Sequence, residues 1–204
     1  MSKVPIKQAG FTILELMIAT TVFSVVLLLC TYGIMHISRT FHKGLSSAAT
    51  QEVTRSALDE IGQAIQFSGG PVMQIYNPAT KIGVLCVNNQ RYTYILDKQL
   101  ISPQQNVMAV DNPASNCLGG LQDLATGTGF SGTPRELLSR RMRLTKLDID
   151  DNYGGDTSLY KVTIKVIYGD DDLLDGTGGC IGNNFGGQFC ASSELTTLVR
   201  KRVQ

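Results

Sequence analysis

The 204-residue chain carries a formal net charge of +1, and 43% of its residues are hydrophobic. This composition excludes an intrinsically disordered chain, and the length allows one domain or one domain with an appended segment. The nearly balanced charge gives no overall preference for nucleic acid, although it leaves room for a local basic patch.

The N-terminal region predicts a membrane-spanning helix. The first ten residues, MSKVPIKQAG, carry Lys3 and Lys7 and no acidic residue. Residues 11–37 then form an apolar run in which Glu15 is the only formally charged residue. Roughly 20 apolar residues cross the hydrocarbon core of a bilayer, and a basic flank favours a cytoplasmic N-terminus with the rest of the chain exported.

Three ordinary types of N-terminal segment each leave a feature of this region unexplained. A cleaved secretory peptide needs a short apolar core and a small-residue cleavage site, and neither is present. A lipoprotein needs a small residue before its cysteine, whereas Cys30 follows three leucines. A plain membrane anchor leaves Glu15 unexplained, because a carboxylate inside a bilayer costs about 2.5 kcal/mol or more.

The residues around this glutamate form a recognisable motif. The segment GFTILE, residues 10–15, resembles the processing site of type IV prepilins and type II secretion pseudopilins. The resemblance implies a prepilin leader at residues 1–10, cleavage after Gly10, N-methylation of Phe11 and an assembly role for Glu15. In that family the glutamate is thought to meet the N-terminal amine of a neighbouring subunit, so that two charges that are costly to bury alone compensate each other.

The same resemblance implies the partners and the location. The partners would be other pilin subunits, the prepilin peptidase and methyltransferase, and the assembly platform and motor of the inner membrane. The protein would span that membrane once before assembly, with its head exported. It would afterwards lie in an extracellular or periplasmic filament.

We therefore expect a structural subunit, a minor pilin or pseudopilin of a type IV pilus or a related secretion or competence filament. Two alternatives stay open: a single-pass, membrane-anchored adhesion or binding domain, and a DNA-uptake receptor pilin using Arg140, Arg141 and Arg143. No phosphate-binding loop, G-x-S-x-G or HExxH motif occurs in the sequence, so we do not expect an enzyme.

The helix is expected to continue beyond the membrane. Residues 38–68 contain no proline, and their apolar residues recur at helical spacing. Gly69, Gly70 and Pro71 then predict its end. The expected helix has about 55 residues, with a transmembrane and filament-core half at 11–37 and an amphipathic stem at 38–68. The apolar stem positions are Val53, Ala57, Ile61, Ala64 and Ile65.

Residues 69–204 are expected to form a β-rich head. Alternating residues predict a hairpin of strands 82–87 and 91–96, with further strands near 106–110, 141–149, 158–168 and 195–203. The fold class is therefore α+β, with a long N-terminal helix packed on a mainly antiparallel sheet. Residues 135–143 hold four arginines and predict a turn of helix. They indicate either a solvated face or a patch for DNA or another acidic surface.

The head contains four cysteines and two acidic segments. An exported head would hold two disulfides, and its four cysteines allow three pairings, between which the sequence alone does not choose. The short spacing makes Cys180 with Cys190 the local choice, which would leave Cys86 with Cys117. The sequence has no CxxC motif and no histidine near these cysteines, so we do not expect a zinc site. Two acidic segments are interpreted either as turns or as calcium sites, with no other cofactor expected. The calcium candidates are Asp148, Asp150, Asp170, Asp172 and Asp175.

The glycine-rich segment between the last two cysteines is the final feature. Residues 176–190 hold six glycines and resemble the cysteine-bounded C-terminal loop of many pilins. The resemblance implies a surface for subunit contact or adhesion.

Overall fold

The computed structural model describes residues 10–102, 105–113, 117, 129–175, 178–181 and 186–202. The chain divides into two compact units, residues 1–41 and 42–204. The predicted leader therefore lies outside the described residues except for Gly10. Parts of the predicted cysteine-bounded loop, residues 176–177 and 182–185, lie outside them as well.

One long helix, α1, spans Ile13–Gln66 and has 54 residues, as the sequence predicts. In the second unit its apolar stripe is buried in the core, with Ala57, Ile61 and Ile65 at most 2% exposed. Val53 and Ala64 pack against the same core from the margins of this stripe. The stem is therefore amphipathic, as its periodicity indicates.

The end of α1 is held by contacts from distant parts of the chain. The Arg202 N–H donates to the Gln66 carbonyl at 3.0 Å, and the Gly70 N–H donates to the Asn88 side chain at 2.9 Å. Lys201 Nζ donates to the Gly70 carbonyl at 2.7 Å. These bonds satisfy polar backbone groups where the glycines stop the helix.

In the described part of the chain, the head has two antiparallel sheets, which confirms the α+β class but differs from the single sheet that we expected. The first sheet has the order β1-β2-β3-β4-β5, and the second has the order β6-β7-β8. The strands are β1 Val72–Asn77, β2 Ile82–Val87, β3 Gln90–Ile95, β4 Met108–Asp111, β5 Arg135–Glu136, β6 Met142–Asp150, β7 Leu159–Tyr168 and β8 Ala191–Arg200.

The predicted hairpin is confirmed in β2 and β3, which pair from Val87↔Gln90 to Ile82↔Ile95. Gly83 is required within it, because a Cβ atom there would lie 2.1 Å from the ring of the cross-strand Tyr94. The two sheets are linked where residues 96–99 meet the start of β6, through the bridges Leu96↔Leu144 and Gln99↔Arg143.

Three local expectations are wrong. Strand β1 was not predicted, although it forms six pairs with β2. Residues 135–143 contain the short strand β5 instead of a turn of helix, because β5 pairs with β4 at Ala109↔Glu136 and Val110↔Arg135. Strand β8 begins at Ala191, four residues before the predicted start, since β7 is long enough to pair with all ten of its residues.

The core of the head lies between α1 and both sheets. Alternate residues of each strand face it, as the two-residue period of a strand requires. The largest contributors are two tyrosines of β3 and aliphatic residues of the other strands: Tyr92, Tyr94, Leu85, Met108, Leu144, Val162 and Ile164, all at most 1% exposed.

Candidate functional site

The predicted cleavage position is accessible in the first unit. Gly10 has no heavy atom within 4 Å of where a Cβ would stand, and the Phe11 side chain is 84% exposed. The regular helix begins only at Ile13. The peptide bond between Gly10 and Phe11 therefore precedes the helix and is not enclosed by other described residues.

Thr12 and Glu15 together form a capping box at the start of α1. The Glu15 N–H donates to Thr12 Oγ1 at 3.2 Å, and the Thr12 N–H approaches Glu15 Oε2 at 3.5 Å. This reciprocal arrangement satisfies backbone donors that have no partner within the helix. We did not predict the role of Thr12, although a threonine three residues before a glutamate and an apolar run is its signature.

Apolar side chains cover the whole surface of the helix after this cap. Every large hydrophobic side chain in residues 11–37 is 49–84% exposed. By length and composition α1 could cross a membrane, and its best 18-residue window has a mean hydropathy of 2.4 with no residue buried in the protein. A core helix of a water-soluble domain would be buried, whereas this exposed apolar surface suits a bilayer or contact with partner chains.

Four serine and threonine hydroxyl groups in this segment donate hydrogen bonds within the helix. Thr21, Ser24 and Thr31 each donate to the backbone carbonyl four residues earlier, all at 2.8 Å, and Thr20 donates to the Met17 carbonyl at 3.0 Å. Such bonds hide polar groups from an apolar environment. Cys30 lies in the same segment as an exposed, free cysteine.

The head contains two disulfides, in the pairs that the spacing favours. Cys86 is bonded to Cys117 and Cys180 to Cys190. The second bridge closes the segment that resembles the pilin C-terminal loop. The described part of the segment between Cys180 and Cys190 includes a short 3-10 helix at Gly187–Phe189.

The calcium candidates take part in turns, strands and ion pairs. Asp148 lies in β6, and Asp150 accepts the Asn152 N–H at 3.2 Å. Asp175 accepts the Gly179 N–H at 2.6 Å, and Asp172 is in a 3-10 helix. Among the residues that the structure describes, no three His, Cys, Asp or Glu side chains are grouped so that they could hold a metal ion.

Asp170, the remaining calcium candidate, forms an ion pair with Arg141. The Arg141 guanidinium donates to its carboxylate, and Gln99 Nε2 donates to the same carboxylate at 2.9 Å. These bonds hold the pKa of Asp170 below its ordinary value, with the Arg141 bond as the largest cause. The charge of Asp170 is thus already balanced within the chain.

Arg135, Arg140 and Arg141 are exposed, as the solvated-face interpretation expects, whereas Arg143 is buried. Arg135 pairs with Glu60 of α1. Arg143 is only 4% exposed and binds Asp171 Oδ1 at 2.6 Å, because it lies on a core strand beside the turn that follows β7. With Arg141 held by Asp170, three of the four cations face internal carboxylates, which weakens a DNA-binding interpretation.

Comparison with known proteins identifies the N-terminal motif. A family model for the prokaryotic N-terminal methylation motif matches residues 6–31. No curated protein and no solved structure was found to match the chain. The motif implies, in general, a structural subunit that associates with other pilin subunits and is processed by a prepilin peptidase. With this motif and its long N-terminal apolar helix, the chain fits the type IV pilin and pseudopilin family.

Proposed function

We propose that this protein is a minor pilin or pseudopilin that is cleaved after Gly10, methylated on Phe11 and assembled into a filament of the type IV pilus class. The observation that carries the proposal is the methylation motif at the start of a helix whose apolar surface is exposed on all sides. Such a surface suits two successive environments, the bilayer before assembly and the helices of other subunits afterwards.

Cleavage would create a positively charged partner for Glu15. The new Phe11 amine is cationic, and within an apolar filament core an unpaired carboxylate would be costly to bury. Pairing Glu15 with the amine of a neighbouring subunit would offset both desolvation costs. It would also fix the position of one subunit along the next.

A minor or initiating role is the subtype that we favour. The head, residues 69–204, has 136 residues. We infer that a head of this size, with two sheets and two disulfides, suits a specialised subunit that starts or caps the filament. The partners would be other pilin subunits and the assembly platform and motor of the inner membrane.

Replacing Glu15 by glutamine tests the assembly role. We expect Glu15→Gln to be cleaved normally but to be nearly absent from the filament fraction sheared from cells, because the carboxylate is required for the ion pair and not for recognition of Gly10. The measurement is a quantitative immunoblot of the sheared and membrane fractions. Asp151→Asn, at an exposed turn of the head, is the matched control. Equal incorporation of both variants would contradict the proposed role of Glu15.

A further inference from the structure

The edge of β8 lacks the usual protection of an edge strand. Within the described part of the chain, β8 pairs only with β7, in ten consecutive pairs without a register shift. β8 carries Glu194 and Arg200, and the residues between them, 195–199, include no proline and no charged residue. The opposite edge strand, β6, is interrupted by a bulge between Leu144 and Lys146 and is bridged by residues 96–99. Proteins commonly use such features to block strand pairing, so β8 is a receptive edge.

A groove follows this edge along almost its whole length. A cavity of about 860 Å³ is lined by one flank of α1 and by the six consecutive residues 192–197 of β8. A second cavity, of about 240 Å³, is lined by residues 197–200 and by α1 as far as Gln66. Because consecutive strand residues point to opposite faces, a cavity lined by all of them lies beside the backbone and not over one face.

The groove also has a charge preference. The larger cavity is lined by three carboxylates, those of Glu52, Asp59 and Glu194, and by one guanidinium, that of Arg55. Glu194 is already in contact with Lys146 at 3.5 Å, but both groups are about half exposed. No ion pair within 4.0 Å joins Glu52 or Asp59 to another described residue. An incoming cationic segment would complement this side of α1.

We propose that this groove binds an extended, positively charged segment of a partner protein, which adds to the β8 edge as a further strand. Main-chain hydrogen bonds to β8 would supply affinity, and alternate side chains would face the carboxylates of α1 and supply specificity. The proposal is independent of the proposed Glu15 pairing, because it uses only residues of the second compact unit, 42–204.

Three synthetic probes separate strand addition from simple charge attraction. The first is a fluorescent ten-residue peptide of alternating Thr and Val with three Lys. The second has three Glu in place of the Lys. The third repeats the cationic sequence with N-methyl groups on alternate amides. These groups keep the charge of the peptide but remove the N–H donors along one of its two edges. Fluorescence anisotropy with the full chain in detergent micelles measures binding.

We expect only the first peptide to bind, and we expect its isotope-labelled carbonyl groups to give an infrared band typical of β-sheet. The double variant Glu52→Lys, Asp59→Lys should weaken binding about tenfold or more. The control Asp151→Lys, Asp172→Lys reverses two exposed carboxylates outside the groove and should leave the affinity unchanged.

Several results would overturn the proposal. Equal binding of the cationic and N-methylated peptides would mean charge attraction without strand addition. Equal binding of the acidic peptide would remove the charge argument, and no binding of any probe would show a closed edge. Concentration-dependent self-association lost on replacing β8 residues, without peptide binding, would assign the edge to a second copy of this chain.

Discussion

At the scale of single residues, Glu15 has one role within its own chain and a second, proposed role in assembly. Within its own chain it completes a capping box with Thr12, in which its backbone N–H makes the shorter contact. Its carboxylate keeps free acceptor capacity, because an ionised carboxylate has about four lone-pair sites. The same side chain can therefore cap its own helix and receive the amine of another subunit, as the proposed function requires.

Thr12 gives a test of the cap that is independent of assembly. We expect Thr12→Ala to destabilise the first turn of α1 by about 1 kcal/mol, because one helix donor loses its acceptor. The amides of residues 14–16 should then exchange about fivefold faster with deuterium in detergent micelles. Thr21→Ala, which removes a hydroxyl from the middle of the same helix, is the control. Unchanged exchange in Thr12→Ala would show that the cap contributes nothing in that environment.

Glu136 is a half-buried carboxylate that accepts several backbone hydrogen bonds. Its oxygens accept the N–H groups of Val107 at 2.6 Å, Met108 at 3.0 Å and Leu138 at 3.0 Å. Burial raises the pKa of this carboxyl, and the N–H groups counteract the increase in part. The side chain joins β5 to the segment before β4, so it substitutes for backbone pairing.

We expect Glu136→Gln to lower the free energy of unfolding by about 1–3 kcal/mol, because an amide presents one acceptor where the carboxylate presents two. Urea denaturation followed by circular dichroism measures this change. Glu194→Gln, which removes a half-exposed carboxylate on β8, should lower it by less than about 1 kcal/mol. A smaller loss of unfolding free energy for Glu136→Gln than for this control would contradict the stabilising role that we assign to Glu136.

At the scale of elements, a buried ion pair and a disulfide anchor the chain that follows β4. Cys86, Arg91 and Asp111 lie side by side on β2, β3 and β4, on the sheet face away from α1. Arg91 and Asp111 form a bidentate pair, and their side chains are at most 3% exposed. Arg91 also contacts the Gly129 carbonyl, and Cys86 binds Cys117. Both links therefore attach residues 117 and 129 to the same face.

Removing one partner of this pair leaves a buried charge without compensation. We expect Asp111→Ala to lower the free energy of unfolding by about 3–5 kcal/mol. Asp97→Ala breaks the exposed pair with Lys81 and should cost about 1 kcal/mol or less. The double variant Arg91→Met, Asp111→Leu should recover much of the loss, because an apolar pair needs no compensation. Similar losses in the two single variants would contradict the buried pair.

Elements with strong local signals were predictable from the sequence. The helix period through Ile65 and the glycines that follow it determine where α1 ends, and the alternation in residues 82–96 determines the hairpin. Strand β1 was missed because Gln74 and Ile75 break the simple alternation and because its pairing depends on β2. Strand β5 was missed because only two residues pair, next to a leucine pair that also suits a helix.

At the scale of the whole molecule, the residues of the candidate assembly site are close together in the sequence, whereas the contacts that build the head join residues far apart in the sequence. Gly10, Phe11 and Glu15 lie within six residues, so a short motif contains them all. By contrast, the partners of Arg143 and Arg91 are 28 and 20 residues away along the chain. The groove beside β8 likewise depends on the packing of α1 against a strand that begins 125 residues after the helix ends. No periodicity in the sequence could indicate these contacts.

The most direct test of the account is the mass of the N-terminal peptide of the protein isolated from cells. We predict a peptide that begins at Phe11 and carries one added methyl group, because a membrane peptidase would remove residues 1–10 before assembly. A peptide that still carries Ser2 to Gly10 would contradict the account. The chain would then be a membrane-anchored domain whose methylation motif is not used.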